Sequence, residues 1–164
     1  MITRQASELT GLDANIRNAV RAVIVRDEAI LMQKKWQQER GFWYTLPGGG
    51  QEVQESLTQA LQRECEEEIG TRVVVDGLLA VADFYKQRRT VPPTSRHLIE
   101  FLFACSVPDD YLPGPGVHPD KHQIAVVWLP FAEFSQVELF PKSLERDLQP
   151  VLQGAKPLYL GVID

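Results

Sequence analysis

The segment Arg63-Glu64-Cys65-Glu66-Glu67-Glu68-Ile69-Gly70 packs four carboxylates into five positions. The pattern before it predicts a helix over 56–69 that Gly70 terminates at the C′ position, so all four acids fall in its last two turns. That end of a helix already carries partial negative charge, and neighbouring acids repel one another. Projected at the helical period, Glu64, Glu67 and Glu68 continue the stripe of Leu57, Ala60 and Leu61, whereas Glu66 joins Glu55, Gln59 and Gln62 on the polar side. Glu66 therefore reads as a solvated surface acid. Three carboxylates on the inward face are costly unless a cation meets them. Hard oxygen ligands suit Mg²⁺ or Mn²⁺, ions that keep positions open for water and substrate phosphates. The preceding Leu46-Pro47-Gly48-Gly49-Gly50 fits the same chemistry, because bare backbone brings carbonyls to a metal or amides to a phosphate.

The elements that must position these groups are short strands and two helices. Two apolar runs, 19–25 and 29–32, flank Arg26-Asp27-Glu28 and read as a β-hairpin. A third strand is expected at 43–46. The three glycines after it are too many for a strand interior and mark a loop that bends sharply or approaches something closely. Further strands are expected at 73–82, 97–107 and 124–129. The stretch 85–96 reads as a loop carrying Lys86, Arg88, Arg89 and Arg96 without an acid, and 108–120 is too rich in Pro and Gly for any regular element. An amphipathic helix over 142–152 is built on Leu144, Leu148 and Leu152. This order predicts an α/β domain over 17–156, a mixed β-sheet packed between helices, with an N-terminal arm at 1–16 and a C-terminal tail at 157–164.

Composition agrees with one such domain. The 164 residues are 44% hydrophobic and 24% charged, an ordinary globular balance. A net charge of −5 gives no general reason to bind a nucleic-acid polymer or an anionic membrane. No apolar run approaches the ~20 residues of a membrane span. The two cysteines, Cys65 and Cys105, sit in apolar contexts and are expected as buried thiols, which favours a cytoplasmic setting. The residues do not fix the oligomeric state, and a homodimer stays open.

Gly49, five residues, Glu55, seven residues, then Arg63-Glu64-Cys65-Glu66-Glu67-Glu68-Ile69-Gly70-Thr71 resembles the Nudix box, Gly-x5-Glu-x7-Arg-Glu-U-x-Glu-Glu-x-Gly-U with U apolar. Gly49, Glu55, Arg63, Glu64, Glu67, Glu68 and Gly70 match its fixed positions; Cys65 and Thr71 stand at the two U positions, Thr71 as a mild departure. The resemblance implies the Nudix fold and a metal-dependent hydrolase that splits a nucleoside diphosphate linked to another group by water attack at phosphorus. It implies Glu64, Glu67 and Glu68 as metal-binding carboxylates, with a backbone carbonyl at Gly48 or Gly49 completing the shell. Arg63 would orient a neighbouring glutamate, and Glu55 would serve the structure of the loop. The family's general base is a box glutamate in some members, which points to Glu64, and lies in a loop before a late strand in others, which points to Asp120 or His122 here, near His118. Glu100, in an otherwise apolar strand, is expected to face solvent or a salt bridge rather than the site.

For the substrate, a small nucleotide, the basic stretch offers Arg88 and Arg89 as a grip on its phosphates or on the group beyond them. Trp36, flanked by polar residues, is the residue expected to stack on a base; Phe42, Trp43 and Tyr44 are expected mostly in the core. Downstream of the box, where ADP-ribose hydrolases of the family tend to carry a proline, this chain has Phe84-Tyr85-Lys86. Nucleoside triphosphates, dinucleotide polyphosphates and nucleotide sugars all remain open. The alternative is a non-catalytic Nudix domain that binds a nucleotide as a sensor or regulator, which would be expected to have lost box acids. An isoprenoid diphosphate isomerase on the same fold would carry a degenerate box.

Overall fold

The computed structural model describes residues 15–164. The arm expected at 1–16 therefore lies, but for its last two residues, outside the described residues. Strands β1 (Arg17–Arg26) and β2 (Ala29–Gln37) form the expected hairpin. Its turn residues, Asp27 and Glu28, both adopt left-handed φ values of 50° and 59°, the conformation that matches a two-residue turn to strand twist. The two strands pair only at Val25↔Ile30 and Arg26↔Ala29 and then part.

Beyond that point each strand builds its own sheet. On one side the order is β4 (Gly48–Gly50), β1, β6 (Thr94–Ser106), β5 (Val74–Arg88), β8 (Tyr159–Ile163). There β1 runs parallel to β6 from Arg17↔Leu98 to Ile24↔Cys105, β5 and β6 are antiparallel, and β8 is parallel to β5. On the other side β2 lies between β3 (Gly41–Thr45) and β7 (Gln123–Pro130), all antiparallel. The sheet is thus mixed, as expected. Alternation along β1 sends Val20, Ala22 and Ile24 into a core with Leu61, Cys65 and Ile69 of helix α1 (Leu57–Ile69). It sends Val23 into a second core with Leu144, Leu148 and Val151 of helix α2 (Leu144–Leu152) and with Phe134 of the 3₁₀ segment Phe131–Gln136. Among the described residues, one helix therefore covers each face. Both thiols are buried and unbridged, and burial pushes Cys105 up to about 12.

Three segments differ from the sequence reading. Gly48–Gly50 is a short strand on β1 rather than a loop. A Cβ on Gly48 would lie 1.9 Å from the Val20 carbonyl oxygen, so only glycine lets the backbones come this close. The basic stretch 85–96 is mostly hairpin, with β5 and β6 paired out to Arg88↔Thr94. That hairpin extends past the core, so its side chains lack the apolar alternation that marks a strand in sequence. Residues 157–164, expected as a tail, lay β8 against β5 near Val81–Phe84.

Candidate active site

Helix α1 carries the acid cluster, and both of its ends are explicitly closed. At the start, the Ser56 hydroxyl accepts from the Gln59 N–H while the Gln59 side chain accepts from the Ser56 N–H, a reciprocal capping box. At the end, Gly70 turns left-handed with φ 73° and its N–H donates to the Cys65 carbonyl. The Pro/Gly-rich loop after β6 and Gln123 of β7 engage three further carbonyls. Glu67 O accepts from the His118 N–H (2.9 Å), Glu68 O from the Gly116 N–H (3.2 Å) and from Gln123 Nε2 (2.8 Å), and Ile69 O from the Tyr111 hydroxyl (2.7 Å). Engaging these carbonyls offsets part of the cost of placing acids at a helix C-terminus. A Cβ on Gly116 would lie 2.2 Å from the Glu66 carbonyl oxygen, so the loop depends on that glycine for its approach.

Burial along α1 follows the helical period. Glu68 is buried, at 4% exposure, Glu64 and Glu67 are half-buried, and Glu66 is exposed. Glu68 Oε2 accepts from Gln33 Nε2 and from the Gly48 N–H (2.9 Å). Burial nevertheless pushes its carboxyl up to about 8, helped by the negative charges of Asp120 and Glu64. Burial also lifts Glu64, against the pull of Arg63. Arg63 ties the site together. Its guanidinium grips both Glu55 oxygens, donates to the Gly50 carbonyl and to Glu64 Oε1 (3.0 Å each), and lies 3.6 Å from Glu67 Oε2. Bonds to Glu55 chiefly hold the Arg63 proton more firmly than usual, and Glu55 in turn is held below the usual carboxylate range. Glu55 Oε2 also accepts from the Glu52 N–H (2.9 Å), the structural role expected of it. A Cβ on Gly49 would sit 2.5 Å from the Glu64 carboxylate, so the glycine loop and the acid helix meet at that residue.

This donor set fits a hard divalent ion. Among the described residues no three Asp, Glu, His or Cys side chains are gathered tightly enough to cage a cation alone. Mg²⁺ does not require such a cage, since it commonly takes one or two carboxylates and fills its octahedron with water and substrate oxygens. Burial disfavours the charged form of Glu68, and a nearby cation is what would restore it. Of the two candidate carbonyls, that of Gly48 accepts from Arg21 Nη1 (3.0 Å), and Gly49 stands opposite Val20 in the ladder of β1 and β4.

Beside the cluster lies a cavity of about 810 Å³. Its wall does not include Glu64, Glu67 or Glu68; it adjoins them through Arg21, which bridges Glu100 (2.8 and 3.2 Å) and the Gly48 carbonyl. Of the sequence candidates, Asp120, His122 and Arg89 line this cavity. Burial raises the Asp120 carboxyl, but Lys35, which donates to it, and the Lys121 N–H outweigh that and hold it below the usual range. His122 has a left-handed φ of 68°, and its ring centroid is 5.8 Å from that of Trp43. Arg88 and Trp36 are not on the cavity wall. Strand alternation explains Trp36: Gln33 and Lys35 of β2 turn inward, so Lys34 and Trp36 turn out. The residue across the ladder from Lys35 is Trp43, and it is Trp43 that reaches the cavity, beneath the Arg40 guanidinium at 4.2 Å. Glu100 makes the expected salt bridge but is 2% exposed and lines the cavity.

Arg21, Gln33, Lys35 and Glu100 were not legible as site residues. Their signal is a polar residue at a core-facing position of an apolar strand: Arg21 within Ala19–Val25, and Glu100 within Leu98–Cys105 on the neighbouring strand.

Comparison with known proteins agrees with this geometry. The NUDIX domain family matches residues 15–152. A MutT-like protein of Streptomyces ambofaciens is 33% identical over 119 residues, 72% of this chain and 66% of that protein. The human 8-oxo-dGDP phosphatase NUDT18 is 39% identical over 74 residues, 44% of this chain. The chain spans only 23% of that second relative's length. Among solved structures, the E. coli ORF135 protein superposes with a TM-score of 0.59 at 30% identity, covering 87% of this chain and 94% of that one. The box residues, their placement at the end of α1 and the family match over most of the chain make this protein a member of the Nudix hydrolase family.

Proposed function

We propose that this protein hydrolyses the diphosphate linkage of a nucleoside diphosphate bonded to a further group, using Mg²⁺ or Mn²⁺ held by Glu64, Glu67, Glu68 and a backbone carbonyl of Gly48 or Gly49. The observation that carries this is the Arg63-tied carboxylate cluster set beside a cavity of about 810 Å³ with both aromatic and cationic walls. When bound, the divalent ion would supply charge to neutralise the diphosphate and to lower the pKa of a coordinated water. Glu64 accepts the proton of the attacking water: it is half-buried, and Arg63 fixes its orientation through Oε1. Asp120, held ionised by Lys35, is the weaker base and instead positions Lys35 at the cavity wall.

The cavity receives the rest of the nucleotide. Trp43, Phe84 and Phe140 supply apolar faces for a base, and Lys86 and Arg89 supply charge for an anionic group. The 8-oxo-dGDP phosphatase among the relatives makes nucleoside di- and triphosphates the first class to test, ahead of dinucleotide polyphosphates and nucleotide sugars. A small nucleotide substrate and two buried, unbridged thiols suit a cytoplasmic setting.

The test is a phosphate-release screen with Mg²⁺ and, separately, Mn²⁺, with a phosphatase added to report monoester products. Selective, metal-dependent turnover of one of these classes is expected. Nucleotide binding by calorimetry without turnover of any class would contradict the proposal in favour of a sensor.

A further inference from the structure

Gln33 lies outside the box and off the cavity wall, yet its amide hydrogen-bonds β2 to the acid helix. It is 1% exposed, between the apolar residues Leu31 and Met32 on one side and Lys35 on the other. A buried amide is costly unless its hydrogen bonds are made, and here both ends are engaged. Its Nε2 donates to Glu68 Oε2, and its Oε1 accepts from the Thr45 hydroxyl at 3.4 Å. The Gly48 N–H falls on the same Glu68 Oε2. Among the described residues no hydrogen bond reaches Glu68 Oε1. Two protein donors thus hold one oxygen of this carboxylate, and none among the described residues holds the other.

We propose that Gln33 is a positioning residue for the divalent ion: with Gly48 it fixes Glu68 through Oε2 so that Oε1 is presented to the metal, and Thr45 fixes Gln33 in turn. The inference rests on the reading of Glu68 as a metal-binding carboxylate. An outer partner of this kind orients its ligand before the ion arrives, and losing one typically weakens metal binding by about 10–100-fold.

The test titrates Mn²⁺ alone into the metal-free protein, without nucleotide, and reads its affinity by calorimetry or by the EPR signal of the free ion. Gln33→Met keeps the buried volume and removes the amide; Mn²⁺ binding should weaken by about 10–100-fold. Its kcat should recover at high Mn²⁺ while the substrate KM there stays at the parent value, since Gln33 does not reach the cavity. A merely structural role would not give that recovery. Thr45→Val removes the outer bond and leaves Gln33 in place, and in this nucleotide-free titration a weakening of roughly threefold is expected. Equal Mn²⁺ affinity in the parent and in folded Gln33→Met overturns the inference; if Gln33→Met does not fold, equal affinity in Thr45→Val does so. A parent protein that takes up no Mn²⁺ removes the metal reading itself, and the role of Gln33 falls with it.

Discussion

Arg63 spans the distance between two kinds of work. Its bidentate hold on Glu55 and its bond to the Gly50 carbonyl close the glycine loop over the helix, while Nη1 reaches Glu64 and Glu67. Loop and acid helix are therefore one unit, and the residues that make it were fully legible because each is fixed by type and spacing in one continuous stretch. The cavity residues were legible only in part. Arg89 and Asp120 stood out as charges in polar segments, whereas Trp43 looked like core and Trp36 like a platform until pairing showed which face each takes. Local sequence shows alternation but not which parity faces the site. Arg89→Ala should raise the substrate KM by about 3–10-fold with kcat nearly unchanged, as loss of one charge-assisted contact does. Steady-state kinetics at saturating metal would check this; a fall in kcat at constant KM would show that Arg89 touches the reacting groups instead.

At the scale of elements, the misread segments share a cause. β4 and β8 are short, and each is held by a partner distant in sequence: Gly48–Gly50 by Ala19–Arg21, and β8 by β5. Neither carries a pattern of its own. The tie between β8 and the sheet is partly polar, since Asp83 of β5 accepts from the Tyr159 hydroxyl of β8 and lies 2.6 Å from His97 Nε2 of β6. The Tyr159 bond first, and His97 second, hold the Asp83 carboxyl below the usual range. A depressed carboxyl stabilises the fold above its unfolded-state pKa and loses that contribution as pH falls through the folded-state value. Unfolding monitored from about pH 6 down to about pH 2 should thus show a loss of stability at the acid end that is smaller in Asp83→Asn. An unchanged acid limb in that variant would mean the three-strand tie contributes nothing to docking β8.

The whole molecule combines opposite electrostatics in neighbouring places. A chain of net charge −5 sets a carboxylate cluster at one end of α1 and, beside it, a cavity whose wall pairs Arg21 with Glu100 and Lys35 with Asp120 and adds Lys86 and Arg89. The hairpin of β1 and β2 makes this possible, because its strands part into two sheets and β1 sends alternate residues to cores on opposite faces. That α/β/α plan was legible from the order of strands and helices; the parting of the hairpin was not, since it depends on long-range pairing of β1 with β6 and of β2 with β7. The central claim is that the inward acids of α1 hold a divalent ion for hydrolysis and that Glu66 does not. It is tested most directly by metal-dependent turnover of the best nucleotide substrate in Glu67→Gln and Glu66→Gln, with folding checked by circular dichroism. Glu67→Gln should lose roughly 10²–10³-fold in kcat, as removal of a group worth several kcal/mol at the transition state would, while Glu66→Gln stays near the parent rate. Parent-like turnover in folded Glu67→Gln, or a comparable collapse in Glu66→Gln, would contradict the account.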